Sequence, residues 1–162
     1  MKKSVYIETT IPSYATAKTS RDIVIAHRQA LTKIFWENER QKYDLCISDY
    51  VIDECGRGDP EAAKRRLDLI AGIPLLPETE RTVSLAHGYF DILDITERVM
   101  TDCFHLAVCV DSGIDYLLSW NYTHLGHRSY GKVYMYNYQR GLKTPDLLTP
   151  EMFMDLMQER NI

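Results

Sequence analysis

The sequence predicts an α/β fold of three layers, with a central, mainly parallel sheet between helices. Three observations predict it. Short apolar segments of β character recur at Ser4–Ile7, Asp44–Ile47, Ile73–Leu76 and Asp115–Leu118. Stretches with helical apolar spacing separate them. Strands separated in this way need crossover connections, which give a parallel sheet covered by helices on both faces. The 162 residues suit a single domain, 1–162, with a sizeable core, and no repeat, low-complexity tract or linker interrupts them.

Ser4 to Ile7 reads as a buried strand ending at Glu8. Thr9 or Thr10 can cap a helix whose first turn tolerates Pro12. A long helix follows, from about Ser20 to Glu39, with Ile23, Ala26, Ala30, Leu31, Ile34 and Phe35 at helical spacing. After the second strand, Ser48 is placed to cap a helix carrying Val51, Ile52, Glu54 and Cys55, which Gly56-Arg57-Gly58 ends. Asp59-Pro60 opens another, buried through Ala62, Ala63, Leu67 and Ile70 and stopped at Gly72. Ile73–Leu76 is a short strand among prolines. Thr79 opens a helix through Val83, Ala86, Phe90 and Leu93, and Thr96 the next, with Val99, Cys103, Leu106, Ala107 and Val110 inward until Gly113. Asp115 to Leu118 is again a strand. Beyond it, Val133 to Tyr136 reads as a strand, and Thr149-Pro150-Glu151 starts a terminal helix through Met152, Phe153, Leu156 and Met157.

Composition is that of an ordinary globular chain, 45% hydrophobic and 26% charged. The net charge of −4 argues against a generally basic nucleic-acid binder, but not against a nucleic-acid enzyme with an acidic pocket. The apolar run after Met1-Lys2-Lys3 stops at Glu8, too short for a signal-peptide core, and no stretch approaches transmembrane length. Cys46, Cys55, Cys103 and Cys109 show no CxxC spacing and sit among apolar neighbours, so they read as reduced packing residues in a cytoplasmic protein.

Chemistry enters with four polar residues at the edges of these elements. Glu8 follows Val5-Tyr6-Ile7, Glu54 follows Ser48 to Asp53, Asp102 precedes Cys103-Phe104-His105-Leu106-Ala107, and Asn121 follows Tyr116 to Trp120. Ligands in parallel sheets collect at the carboxyl ends of strands, where the strand order reverses. Taken singly, Glu8 can be a strand-end polar residue, Glu54 a solvated glutamate and Asn121 a turn residue. Asp102 differs, because it interrupts an apolar face between Val99 and Leu106 and needs a partner. Buried carboxylates that cluster are unfavourable unless a cation lies between them. Magnesium or manganese suits such oxygen donors, and a divalent ion can acidify a water and offset charge on a phosphodiester under attack.

The ordered stretches Val5-Tyr6-Ile7-Glu8-Thr9-Thr10, Ser48 to Glu54, Thr101 to Ala107 and Asp115 to Asn121 resemble those of the PIN domain, the small metal-dependent ribonuclease fold found in VapC-type toxins. Gly141-Leu142-Lys143-Thr144-Pro145 to Thr149-Pro150-Glu151 is similar to the tail of some of them. The resemblance implies a Mg2+- or Mn2+-dependent endoribonuclease, the toxin of a toxin–antitoxin pair, cutting RNA with a metal-activated water. It implies catalytic and metal-binding roles for Glu8, Glu54, Asp102 and Asn121, and partners in RNA, a cognate antitoxin and a second copy, with no membrane. Two departures stand out. The family usually has Asp where Glu8 stands, and the extra methylene moves the carboxylate by about 1.5 Å. It usually has an acid where Asn121 stands, after a Ser or Thr that Ser119 matches, so a second ion should bind more weakly here. These departures leave open a degenerate RNA- or protein-binding module without nuclease activity. A small-molecule phosphohydrolase is a weaker alternative, since Glu8-Thr9-Thr10 lacks a DxD nucleophile motif.

Supporting roles fall to Ser119, Thr9 and His105. His105 is either a hydrogen-bond partner of Asp102 or a satisfied core histidine. Arg57, His124 and Arg128 are candidate phosphate contacts. Arg57 belongs to a set with Lys64, Arg65 and Arg66, and Arg128 to one with Lys132, Arg140 and Lys143. Tyr130, Tyr134, Tyr136 and Tyr138 interleave with the second set and could stack on unpaired bases or cover a sheet face.

Overall fold

The computed structural model describes residues 1–93, 100–121 and 127–159. Four strands, β1 (Ser4–Ile7), β2 (Asp44–Cys46), β3 (Tyr116–Leu118) and β4 (Asp146–Leu148), form one sheet in the order β2-β1-β3-β4. Every pairing is parallel. Val5, Tyr6, Ile7, Tyr116, Leu117 and Leu118 are all buried, as expected of central strands covered on both faces. Eight α-helices among the described residues flank the sheet: α1 (Thr10–Thr16), α2 (Ile23–Ile34), α3 (Asp49–Cys55), α4 (Pro60–Ile70), α5 (Glu80–Leu93), α6 (Met100–Asp111), α7 (His127–Tyr138) and α8 (Pro150–Glu159). The expected three-layer α/β architecture is what forms.

Local differences from the sequence reading have physical causes. The helix expected over Ser20–Glu39 starts at Ile23, because the Asp22 carboxylate accepts from the N–H groups of Val24 and Ile25, and its end loosens into a π turn at Phe35–Glu39. Its buried side is Gln29, Thr32, Phe35 and Trp36, while Ile23, Val24, Ile25, Ala30 and Ile34 are exposed. The Ile73–Leu76 strand shrinks to a single bridge, in which Leu76 N–H donates to the Ile47 carbonyl and Ile47 N–H to that of Pro74. Val133–Tyr136 is helical, inside α7. On that helix Tyr130, Tyr134 and Tyr138 are spaced by four and share a side, and Tyr134 stacks on Tyr138 at 6.3 Å, while Tyr136, two residues from each of the last two, turns elsewhere. β4 went unread, being an edge strand with Asp146 exposed and Leu147 and Leu148 only half-buried, so it lacks the apolar run that marks β3. The helix start expected at Thr96 lies outside the described residues.

Two packing features hold the layers. Phe153 of α8 receives Phe35, Tyr43 and Tyr116 edge-on, with ring centroids 5.0–5.6 Å away. Gly88 of α5 lies against Tyr136, and a Cβ there would fall 2.3 Å from the tyrosine hydroxyl, so α5 and α7 approach closely only because position 88 is glycine. All four cysteines are buried and unpaired. Burial pushes the thiols of Cys46, Cys55 and Cys103 up to about 12.

At the amino ends of the strands, Asp115 ties β3 to β1. One carboxylate oxygen accepts from Lys3 (3.0 Å) and Lys143 (2.7 Å), the other from the Ser4 backbone N–H (3.0 Å) and hydroxyl (3.1 Å). Burial works to raise its pKa, but Lys143, the Ser4 N–H, Lys3 and the Ser4 hydroxyl outweigh that and hold it well below the usual carboxylate range. The unfolded carboxyl titrates near 3.9. A depressed folded pKa therefore contributes stability that is complete above the unfolded value and is lost as pH falls toward the folded one. Asp115→Asn should lower the unfolding free energy by about 2 kcal/mol at neutral pH and flatten the loss of stability below about pH 4. Urea denaturation of both proteins across pH 2–7 checks this, and parallel acid limbs would contradict it.

Candidate metal centre at the carboxyl edge of the sheet

The chain leaves β1 for β2 on one side and reaches β3 on the other, so the strand order reverses between β1 and β3. A crevice opens there, outside their carboxyl ends. Glu8 is the first residue past β1, and its N–H donates to the Leu118 carbonyl at the end of β3 (3.1 Å). Glu8 is only 6% exposed. Its Oε2 accepts from the Thr10 N–H (3.0 Å), the Thr10 hydroxyl (2.6 Å) and the Ser119 hydroxyl (2.7 Å). Its Oε1 accepts no bond among the described residues. The same hydroxyls fix the strand exits. Thr10 Oγ1 accepts from Trp120 N–H (2.8 Å), and Ser119 Oγ from Asn121 N–H (2.9 Å). Trp120 is held in turn by its indole N–H donating to Thr32 (2.8 Å).

Glu54 reaches the crevice from α3. Its Oε1 accepts from Thr9 Oγ1 (3.0 Å) and lies 2.5 Å from His105 Nε2. Burial would raise its pKa, but hydrogen bonding and charge from His105, the Thr9 hydroxyl and the nearby Arg57 hold it below the ordinary value. His105, 2% exposed, projects from α6. Its other nitrogen, Nδ1, is 2.6 Å from the Tyr6 hydroxyl, which is 2.6 Å from Ser48 Oγ. Both ring nitrogens are thus engaged, by Tyr6 and Glu54, so of the two sequence readings of His105 the satisfied buried histidine is the one that these contacts match.

Glu8, Asp102, His105, Ser119 and Asn121 line one small cleft of about 20 Å³, room for a water or an ion. Glu8, Glu54 and His105 each offer a ligand atom, and these atoms lie within 4.8 Å of one another. All four residues singled out at element edges therefore come to one edge of the sheet, and the supporting Thr9, Ser119 and His105 come with them. Two carboxylates, a third from Asp102, an amide and an imidazole form a donor set that fits a divalent cation. The phosphate-contact candidates are less uniform. Arg57 is exposed beside Glu54, whereas His124 and the side chain of Arg128 lie outside the described residues. Around Arg57, Arg66 is committed to the Cys55 and Arg57 carbonyls, and Lys64 to Asp68. In the second basic set, Lys143 binds Asp115 and Arg140 lies over the Tyr136 ring at 3.5 Å, so those two do not form a cradle at the crevice.

Sequence reasoning missed Tyr6, Thr10 and Ser48 as parts of the site. Tyr6 carried a signal: a phenol in the middle of a fully buried strand needs a partner for its hydroxyl. Ser48 and Thr9 do occupy helix N-cap positions, but neither side chain caps its helix. Their hydroxyls go to Tyr6 and Glu54.

No family model matches the chain, and no curated protein matches it. Among solved structures, the chain is similar to the crystal structure of VapBC2 from Rickettsia felis bound to a DNA fragment from their promoter. The identity is 13%, over 90% of this chain and 98% of that one, with a TM-score of 0.52. The likeness is one of fold, and it agrees with a PIN-like arrangement of the parallel sheet and its helices. No helix among the described residues is long and apolar enough to cross a membrane.

Removing one donor from the buried Glu8 carboxylate tests how the crevice is held. Ser119→Ala should destabilise the fold by about 1–3 kcal/mol, read by urea denaturation. Unchanged stability would mean that Glu8 is compensated elsewhere.

Proposed function

We propose that the chain is a PIN-type endoribonuclease dependent on a divalent metal, Mg2+ or Mn2+, and the toxin component of a toxin–antitoxin pair. One observation carries this reading: Glu8, Glu54, Asp102 and Asn121, up to 113 positions apart in sequence (121 − 8), gather at the crevice where the strand order reverses. The likeness in fold to VapBC2 supports the family and an antitoxin partner. Glu8, Glu54 and Asp102 would hold the ion with carboxylate oxygens, and Asn121 would add a neutral oxygen. When bound, the ion supplies an acidified water and offsets charge on the phosphodiester. Thr10 and Ser119 hold the Glu8 carboxylate directed at the cleft, and Thr9 with His105 does the same for Glu54. Arg57, with His124 and Arg128, would draw in the RNA backbone by charge. The exposed apolar side of α2, at Ile23, Val24 and Ile25, supports a protein partner.

A second reading, a binding module without nuclease activity, is favoured by one observation. The Glu54 carboxylate already has a close histidine partner, and Asn121 brings no charge. The two readings part on metal binding and on cleavage. In the enzyme, Mn2+ binds with a calorimetric signal that Glu54→Gln abolishes, and Asp102→Asn slows RNA cleavage by more than about 100-fold. Equal cleavage by wild type and Asp102→Asn removes Asp102 from the mechanism, and no Mn2+ binding by the wild type leaves the binding module standing.

A further inference from the structure

We infer that His105 is itself a ligand, so that the centre is a mixed nitrogen–oxygen site that favours a first-row transition ion over magnesium. The inference rests on the reading that the crevice holds a divalent ion. It adds a donor and a selectivity that an all-oxygen set would lack.

The geometry comes first. His105 belongs, with Glu8 and Glu54, to the one group of three or more ligand-bearing side chains among the described residues that can share an ion, and Nε2 is the nitrogen on the Glu54 side of its ring. The same ring lines the cleft with Glu8, Asp102 and Asn121. Glu8 uses only Oε2, and Glu54 only Oε1, for hydrogen bonds among the described residues. Each carboxylate therefore keeps an oxygen for another partner. Burial leaves His105 almost no access to bulk water, so the polarity of its ring must be answered within the protein.

The hydroxyls behind the ring let its far nitrogen stay hydrogen-bonded when the near one turns to an ion. With neutral His105 bonded to Glu54, Nε2–H donates to the carboxylate, Nδ1 accepts from the Tyr6 O–H, and the Tyr6 oxygen accepts from Ser48. Ligation needs the proton on Nδ1 and the Nε2 lone pair turned to the ion. Then Nδ1–H donates to the Tyr6 oxygen, and the Tyr6 O–H turns to Ser48 Oγ. One proton changes nitrogen, the ring stays neutral, and both hydroxyl contacts persist with their direction reversed. A ligating histidine commonly donates its far N–H to a fixed acceptor, and Tyr6 is placed to be that acceptor. Imidazole suits iron, cobalt, nickel and zinc, whereas magnesium prefers oxygen and retained water.

The test uses the full chain, with Co2+ and Mg2+ titrated by calorimetry and the Mn2+-loaded protein examined by pulsed EPR. The wild type is expected to bind Co2+ at least about tenfold more tightly than Mg2+ and to show nitrogen coupling from a coordinated imidazole. His105→Gln keeps an N–H toward Glu54 but removes the imidazole. It should weaken Co2+ by at least about tenfold, change Mg2+ by less than about threefold, and abolish the nitrogen coupling. If His105→Gln does not fold by circular dichroism, the coupling must persist in both His124→Gln and His127→Gln, and its loss in either overturns the inference. Equal losses for the two ions, or coupling that survives in a folded His105→Gln, also overturn it. A wild type that binds both ions alike without nitrogen coupling overturns this inference alone. Binding of neither ion overturns the metal reading beneath it.

Discussion

Burial of the Glu8 carboxylate is the constraint around which this fold is arranged. A charge at the end of a central strand, 6% exposed, must be met by donors or it would be driven to protonate or unfold the edge. Three donors meet it, all on one oxygen, and they come from the two chain segments that leave β1 and β3. Thr10 opens α1 while holding Trp120, and Ser119 ends the β3 exit while holding Asn121. The carboxylate thus fixes the spacing of two loops that would otherwise be free to diverge, and through Trp120 and Thr32 it reaches α2. The position of the crevice and the orientation of its first acid have the same cause.

The opposite end of the same strands provides an internal comparison. Asp115 is also a carboxylate bridging β1 and β3, yet both its oxygens are answered, and two lysines neutralise it. It is a staple. At the carboxyl end the chain places Glu8, Glu54 and Asp102, and among the described residues no lysine bonds to Glu8 or Glu54, with Arg57 near Glu54 but exposed. An imidazole and hydroxyls meet Glu8 and Glu54, and each of those two glutamates keeps an oxygen unanswered among the described residues. A protein that only needed to join its strands had the means to do so at one end. The difference in chemistry between the ends is the physical ground for reading the second as a site for a cation.

Much of this was legible in the sequence, and particular residues show why the rest was not. Val5-Tyr6-Ile7 and Tyr116-Leu117-Leu118 declared buried parallel strands by their unbroken apolarity, and Glu8 and Ser119 to Asn121 followed from strand ends. Asp102 was visible as a charge interrupting an apolar helix face. The α2 stripe misled because spacing reports which residues share a face, not whether another element covers it: Gln29 and Thr32 are inside, while Ile23 and Val24 are outside. The tyrosines of α7 misled because Tyr134, Tyr136 and Tyr138 alternate at a period of two in any fragment too short to reveal the four-residue step to Tyr130. The bond from His105 to Glu54 depends on how α6 approaches α3, a tertiary fact with no local signature.

The hydroxyls of Thr9 and Ser48 sharpen the functional reading. Each stands where a side-chain cap is worth about 1 kcal/mol to its helix, and each bonds elsewhere. Tyr6, Ser48, His105 and Glu54 form a chain of buried or half-buried polar contacts through a region that apolar side chains could fill at least as stably. Two forgone caps and an internal polar chain are local departures from what stability alone would select, and all of them converge on Glu54. Such departures concentrate where function constrains a fold. A carboxylate that merely faced solvent would have required none of them, so the orientation of Glu54 toward the crevice is what these residues serve.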